Sequence, residues 1–310
     1  MDVLVLGAAV LDITAQPIEK DGHWAEKQRI EKIDFTVGGD AVNQCVRLAD
    51  IGISAGIVSA TGRDRNGEII RTALMERKVD ISHLLEKPDY PTGTSLILLD
   101  SHAERSIFSV RGGAYAALKK EDIKNVLPSG VKALSIASFF IEYELERDGG
   151  MEEILCEARK RGIRTFADLS HDKSHLGLDG IKRFLPYIDW FLPSIYDAEQ
   201  MNKVKGAEAN ARAYKELGCK NVIIKCGAKG CYVLSEEFAG WIDAREIEPV
   251  DTTGAGDCMV ALFIGALLKG CGVKEACCFA CDGATYSTLF PGASTVPLTI
   301  SAIEKWRMIQ

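Results

Sequence analysis

Residues 251–257 read Asp-Thr-Thr-Gly-Ala-Gly-Asp and stand directly ahead of the apolar run Cys258 to Leu268. Glycine and alanine let a backbone approach a ligand closely, and the first turn of a helix presents N–H groups that have no partner inside the helix. Free donors and helix dipole together favour an anion there, and a phosphoryl group in transfer would fit. Asp257, in that first turn, is placed to accept a proton from an attacking hydroxyl, and a helix N-terminus should keep it ionised. The competing reading is a capped, glycine-rich turn without chemistry. The length of the motif and the apolar helix behind it favour the chemical one.

Such a turn needs elements to hold it. Runs rich in Val, Ile and Leu recur at Val3–Gly7, Ala55–Ala60, Thr94–Asp100, Ala133–Ser138, Arg164–Leu169, Asp189–Pro193, Asn221–Gly227 and Lys229–Ser235. Helical patterns lie between them at Ala41–Asp50, Gly67–Lys78, Gly149–Arg161, Ala207–Leu217 and Gly254–Lys269. Buried strands alternating with helix-length segments predict an α/β fold, a mostly parallel sheet flanked by helices. Residues 13–37 and 92–111 instead show period-two stretches, the second a hairpin turning near Ser101–Glu104. They predict a small β-sheet lid on one domain spanning 1–310, and a transferase needs such a lid to exclude water.

With 37 Lys and Arg against 44 Asp and Glu the net charge is −7, and no basic block is present, which argues against general nucleic-acid binding. The longest apolar run is too short to span a bilayer, and Asp2 stands where a signal peptide carries positive charge, so a cytoplasmic protein is expected. The ten cysteines, Cys278 and Cys281 of a CxxC included, read as reduced, packed thiols. His171 and His175 have metal-pair spacing, but the segment DLSHDKSH follows a strand and reads as a loop.

Four segments in order closely resemble the ribokinase-like (PfkB) family of carbohydrate kinases. Besides Asp251–Asp257, they are Gly38-Gly39-Asp40-Ala41-Val42-Asn43, the turn Thr61–Gly67, and Lys225-Cys226-Gly227-Ala228-Lys229-Gly230. The resemblance runs from Asp12 to about Gly292 and implies a ribokinase-like fold and ATP-dependent phosphorylation of a sugar hydroxyl. By it Asp257 is the catalytic base, and the amides of Gly254, Ala255 and Gly256 form the anion hole. That is coherent, because phosphoryl transfer mainly asks for positioning and charge neutralisation.

The same resemblance implies substrate contacts at Asp12, Gly38, Gly39 and Asn43, and a nucleotide side at Lys225, Gly227, Thr252 and Gly256. Asp12 is an acceptor-only carboxylate suited to sugar hydroxyls, while Asn43 both donates and accepts. Where the family has N-x-x-E near the metal, this chain has Ser194-Ile-Tyr-Asp197, so Mg2+ is expected at Asp197 through water. Asp251 and Thr253 match the positions that bind K+ in many relatives. Arg63, Arg105 and Arg111 are candidate contacts for an acidic substrate group. Trp24, Phe35, Phe108 and Tyr115 could instead stack a base, which leaves a nucleoside acceptor open. A non-catalytic sugar- or nucleotide-binding regulator is the alternative outside enzymes. Edge-to-edge pairing of the lid strands would make a homodimer.

Overall fold

The computed structural model describes residues 1–19, 27–100, 105–110, 112–173 and 175–309. In chain order the strands are β1 (Val3–Leu6), β2 (Val10–Ile18), β3 (Lys32–Gly38), β4 (Ala55–Thr61), β5 (Asp80–Glu86), β6 (Gly93–Asp100) and β7 (Arg105–Ser109). They continue with β8 (Ala133–Phe139), β9 (Arg164–Leu169), β10 (Trp190–Phe191), β11 (Asn221–Lys225), β12 (Cys231–Leu234) and β13 (Ala239–Ile242). The α-helices are α1 (Asp40–Asp50), α2 (Arg65–Glu76), α3 (Tyr143–Arg147), α4 (Gly150–Lys160) and α5 (Leu178–Ile181). After them come α6 (Ile195–Asn202), α7 (Ala207–Glu216), α8 (Ala255–Leu268), α9 (Val273–Ser287) and α10 (Ile300–Ile309).

Nine strands form one sheet in the order β13-β12-β11-β10-β9-β8-β1-β4-β5. From β11 to β5 every neighbouring pair is parallel, and β12 and β13 add an antiparallel edge. The parallel strands carry apolar residues on both faces because helices cover both. Along β1, Val3 and Val5 pack with α1, α8 and α9, while Leu4 and Leu6 pack with α4 and α7 on the other side. The chain winds from β1 toward β5 in one direction and from β8 toward β11 in the other. The carboxyl ends of β1 and β8, where that reversal falls, are the usual place for a ligand in such sheets.

A second sheet has the order β3-β2-β6-β7. Strand β2 lies antiparallel to β3 and parallel to β6, which in turn pairs antiparallel with β7. The two period-two regions of the sequence therefore join in one small sheet, as expected. Its hairpin turn at 101–104 lies outside the described residues, as do Trp24, Arg111 and the Arg105 side chain. The sequence missed β5 and β13, whose burial is mixed rather than continuous.

Helix α8 is apolar on every side, with Cys258 to Ala266 all buried. Its Phe263 meets Trp190 of β10 edge-on at 4.7 Å between ring centroids, and the same ring touches Phe166 of β9. A helix wedged this way between sheet and neighbouring helices holds its N-terminus at a defined place over the strand ends. No helix among the described residues is long and apolar enough to cross a membrane.

Candidate active site

Gly254 begins α8 in the left-handed region, with φ +71°, and a Cβ there would lie 2.4 Å from the Ala293 Cβ. Both facts demand glycine. The Ala293 segment is itself tied down by Arg47, whose guanidinium donates to the carbonyls of Ala293 and Val296 at 2.6 Å each. Arg47 also pairs with Asp50 at 2.9 Å, and both side chains are buried. One element therefore sets another: α1 fixes the chain behind the glycine turn. The N–H of Ala255 makes a long turn bond of 3.3 Å to the Thr252 carbonyl, and Thr252 itself is exposed.

Asp257 lies in the first turn of α8, and its Oδ2 accepts a hydrogen bond from Asn43 Nδ2 at 2.8 Å. Some of its surface stays open to solvent. Burial, with the negative charge of Asp40 adding to it, pushes its carboxyl up to about 8; the Asn43 bond opposes the rise. The sequence expectation of a plainly ionised base is thus corrected. Desolvation and neighbouring carboxylates outweigh the helix N-terminus.

Asn43 sits one turn into α1, four residues after Gly39, where φ is +96° and a Cβ would come within 2.5 Å of the Ala8 carbonyl. Gly38 faces Asp12 on β2, whose Oδ2 would be 2.6 Å from a Cβ at that position. Burial raises the Asp12 carboxyl, opposed by a hydrogen bond from Ser95 across the small sheet. Asp12, Gly38, Gly39 and Asn43 thus converge with Asp257 from three elements far apart in sequence.

Lys225, at the end of β11, is ion-paired with Asp168 at the end of β9, both side chains almost wholly buried. A Cβ on Gly256 would lie 3.2 Å from Lys225 Nζ, so this cation stands over the glycine turn. Burial raises the Asp168 carboxyl, against the lowering effect of Lys225. Gly227 follows in a short turn with φ +57°. Beside it a cavity of about 320 Å³ is lined by Ala228, Lys229, Trp241, Asp243 and Ala244.

Ser194 caps α6: its Oγ accepts from the Asp197 N–H and donates to Asp197 Oδ2 at 2.5 Å. Asp197 also faces a second cavity of about 320 Å³, shared with His171, Asp172 and His175. Among the described residues no group of three or more His, Cys, Asp or Glu could hold a metal. Asp251 accepts the Thr253 N–H with one oxygen and the Gly292 N–H with the other, each at 2.8 Å. The cysteines are all free, and Cys278 and Cys281 lie within α9. Arg63 is exposed and paired with Glu86.

Three acidic residues were given no role by the sequence reading. Asp40 joins strand to helix by accepting the N–H groups of Ala8 and Ala41, each at 2.7 Å. Asp168 opens the segment DLSHDKSH, whose spacing singles out only the histidines. Glu142 follows β8 with no exposed surface at all. No motif in the sequence marks Glu142.

The glycine turn that opens α8, with Asp257 in its first turn and Lys225 over Gly256, is carried by a mostly parallel sheet flanked by helices, the ribokinase-like fold. The sequence matches the pfkB family of carbohydrate kinases over residues 2–300, and the chain belongs to that family, which makes it an ATP-dependent carbohydrate kinase by class. It is 28% identical to the ribokinase of Mus musculus, covering 86% of this chain and 80% of that protein. It is 26% identical to an ATP-dependent 6-phosphofructokinase of Thermoanaerobacterium thermosaccharolyticum, covering 88% and 84%. An E. coli protein provisionally named ribokinase II, crystallised with ATP and Mg2+, superposes with a TM-score of 0.87 at 20% identity over 100% of this chain and 99% of that one.

Proposed function

We propose that the protein transfers the γ-phosphoryl group of ATP to a hydroxyl, the primary CH2OH, of a small sugar. Asp257 takes the proton of the attacking hydroxyl, and the backbone amides of Gly254, Ala255 and Gly256 hold the transferring group. The observation that carries this reading is the Asn43 to Asp257 hydrogen bond at the start of α8. It fixes the one carboxylate that points from the glycine turn toward the residues able to hold a sugar. Lys225 over Gly256 supplies positive charge where it develops in transfer, which is where electrostatic stabilisation counts most. ATP and Mg2+ as donor are supported by the complex of the E. coli relative.

Sugar hydroxyls are held by Asp12, Asn43 and the close-lying backbone of Gly38 and Gly39. The triphosphate runs past Thr252, Lys225 and Gly256, with the base beyond Gly227. K+ is assigned to Asp251 and Thr253, where the carboxylate already shapes the turn. Asp197 would hold Mg2+ through water, and the metal would supply positive charge to the phosphates.

Asp257→Asn tests the base. Positioned proton transfer is worth about 10²–10⁴ in rate, so turnover should fall by that order while MgATP affinity stays near wild type. ATP consumption over pentoses, ketohexoses, keto-acid sugars and nucleosides measures both. Wild-type-like turnover in the variant would remove Asp257 from the chemistry. Sugar binding without turnover by the wild type would favour a binding regulator.

A further inference from the structure

We infer that Asp168 is a positioning residue for Lys225: it draws the ammonium across the sheet end onto the glycine turn, leaves two of its donors for phosphate oxygens, and neutralises it until nucleotide arrives. This rests on the proposed function in taking the start of α8 as the phosphate site.

Lys225 ends β11 and Asp168 lies near the end of β9, with β10 between them in the sheet. Two strand spacings amount to about 9.5 Å. A lysine at a strand end ordinarily carries its charged head into water. This one crosses sideways past β10, which is two residues long, and its Nζ donates to Asp168 Oδ2. Asp168 is held to receive it, since its Oδ1 accepts the Leu169 N–H at 2.7 Å. The two side chains are 10% and 7% exposed. Desolvating both charges commonly costs as much as their attraction returns, so such a pair is weak evidence for a stabilising device.

Its position supplies another use. A Cβ on Gly256 would lie 3.2 Å from Lys225 Nζ, so the missing side chain is what lets the ammonium stand against the first turn of α8. An ammonium carries three donors, and Asp168 Oδ2 is the acceptor it meets among the described residues. A phosphoryl group on the α8 amides would bring oxygens for the other two. Charge points the same way. Asp168 acts on Asp40 and Asp257, and Asp197 acts on Asp168, while Lys225 offsets both Asp168 and Asp257. Pairing with Asp168 weakens the attraction of Lys225 for ATP in the ground state. In return the cation is already in place when charge develops, with no reorganisation at the moment of transfer.

Asp168→Asn keeps the shape of the side chain and removes its charge. Calorimetry with ATP and Mg2+ should show binding tighter by about fivefold, because a negative charge has left the phosphate site. Turnover of D-ribose or D-fructose, whichever consumes ATP, should fall about a hundredfold, the effect of misplacing a group by about an ångström. A merely structural pair would lower the melting temperature and leave affinity and kcat of the folded protein unchanged. In Lys225→Met, adding Asp168→Asn should cause no further fall in kcat, because Asp168 acts through Lys225. That double variant leaves no buried charge unpaired, so it decides the matter even where Asp168→Asn fails to fold. Weaker or unchanged ATP binding in Asp168→Asn, an unchanged kcat, or a further tenfold fall in the double variant would overturn the inference. Tighter ATP binding by Asp168→Asn in a protein that phosphorylates no sugar would leave the placement of Lys225 standing and sink the proposed function.

Discussion

At the scale of single residues, the site keeps its carboxyl groups in surroundings that resist ionisation. Burial puts Asp257 at about 8 and Asp40 at about 6, against a usual 3.8. A general base must be ionised, so the activity of the free enzyme should climb with pH and level off above about 8. Measured as kcat/KM with both substrates subsaturating, the rise should approach tenfold per pH unit on the acid side, because that parameter reports the free enzyme. A flat profile between about pH 6 and 8 would mean that another group takes the proton. Asp257 and the glycines around it were legible because their types and spacing are unusual together. The shift of the carboxyl was not, since it depends on Asp40 and Asp168, which reach the site from other elements.

At the scale of elements, helix ends and the pair that anchors them determine where the chemistry can happen. Arg47 joins α1 to the segment behind Gly254 through two carbonyls and Asp50, and Asp50 in turn accepts the Leu298 N–H at 2.9 Å. Arg47→Met leaves Asp50 buried beside the exposed-edge cation Arg77 alone, 3.4 Å away. Removing one partner of a buried pair costs about 3–5 kcal/mol, so chemical denaturation should show a loss of that order. Turnover in the surviving folded fraction should fall as well, since the glycine turn loses its backing. A stability change under about 0.5 kcal/mol, the range of ordinary surface substitutions, would refute the anchoring role. Helices α1, α2, α4, α7 and α8 were legible from apolar periodicity, and the short α3 and α5 were not. Arg47 read as one more charge on a helix, because its partners lie 246 and 249 residues away.

At the scale of the molecule, the small sheet turns two different faces outward. The register aligns Phe35, Ile13, Leu96 and Phe108 across one face, and Phe35, Leu96 and Phe108 are exposed, with Ile33 beside them. Asp12, Thr14 and Ser95 lie on the other face, toward Gly38 and the crevice. A contiguous apolar face of this kind marks a contact surface, and pairing of two copies through this sheet is our proposal for the assembly. Sedimentation should give a dimer for the wild type and a monomer for Phe35→Glu with Phe108→Glu. A monomeric wild type would dismiss the idea.

Stability on the whole-molecule scale should also carry the mark of the site. Asp40, Glu146 and Asp257 sit at about 6, 7 and 8 when folded, above usual values of 3.8 and 4.5. The folded chain thus holds protons more tightly than the unfolded one. Their stabilising contribution is complete below about pH 4 and is lost as pH rises through about 8. Melting temperatures of the ligand-free protein over that window should fall, and Asp257→Asn should flatten the upper part of the decline. A profile identical to wild type in that variant would contradict the shift at Asp257.

By itself the sequence determined the α/β class, the small second sheet, the family and the glycine turn with its aspartate. Those properties are written in local periodicity and in short motifs, which survive without knowledge of what packs against what. Only the tertiary structure decided that Asn43 holds Asp257, that Asp168 parks Lys225 over Gly256, and that Glu142 is wholly buried. The two pairings join residues that chain distance keeps apart and sheet order brings together. Burial and charge act through space, so the properties that depend on them appear only once the strands are laid side by side.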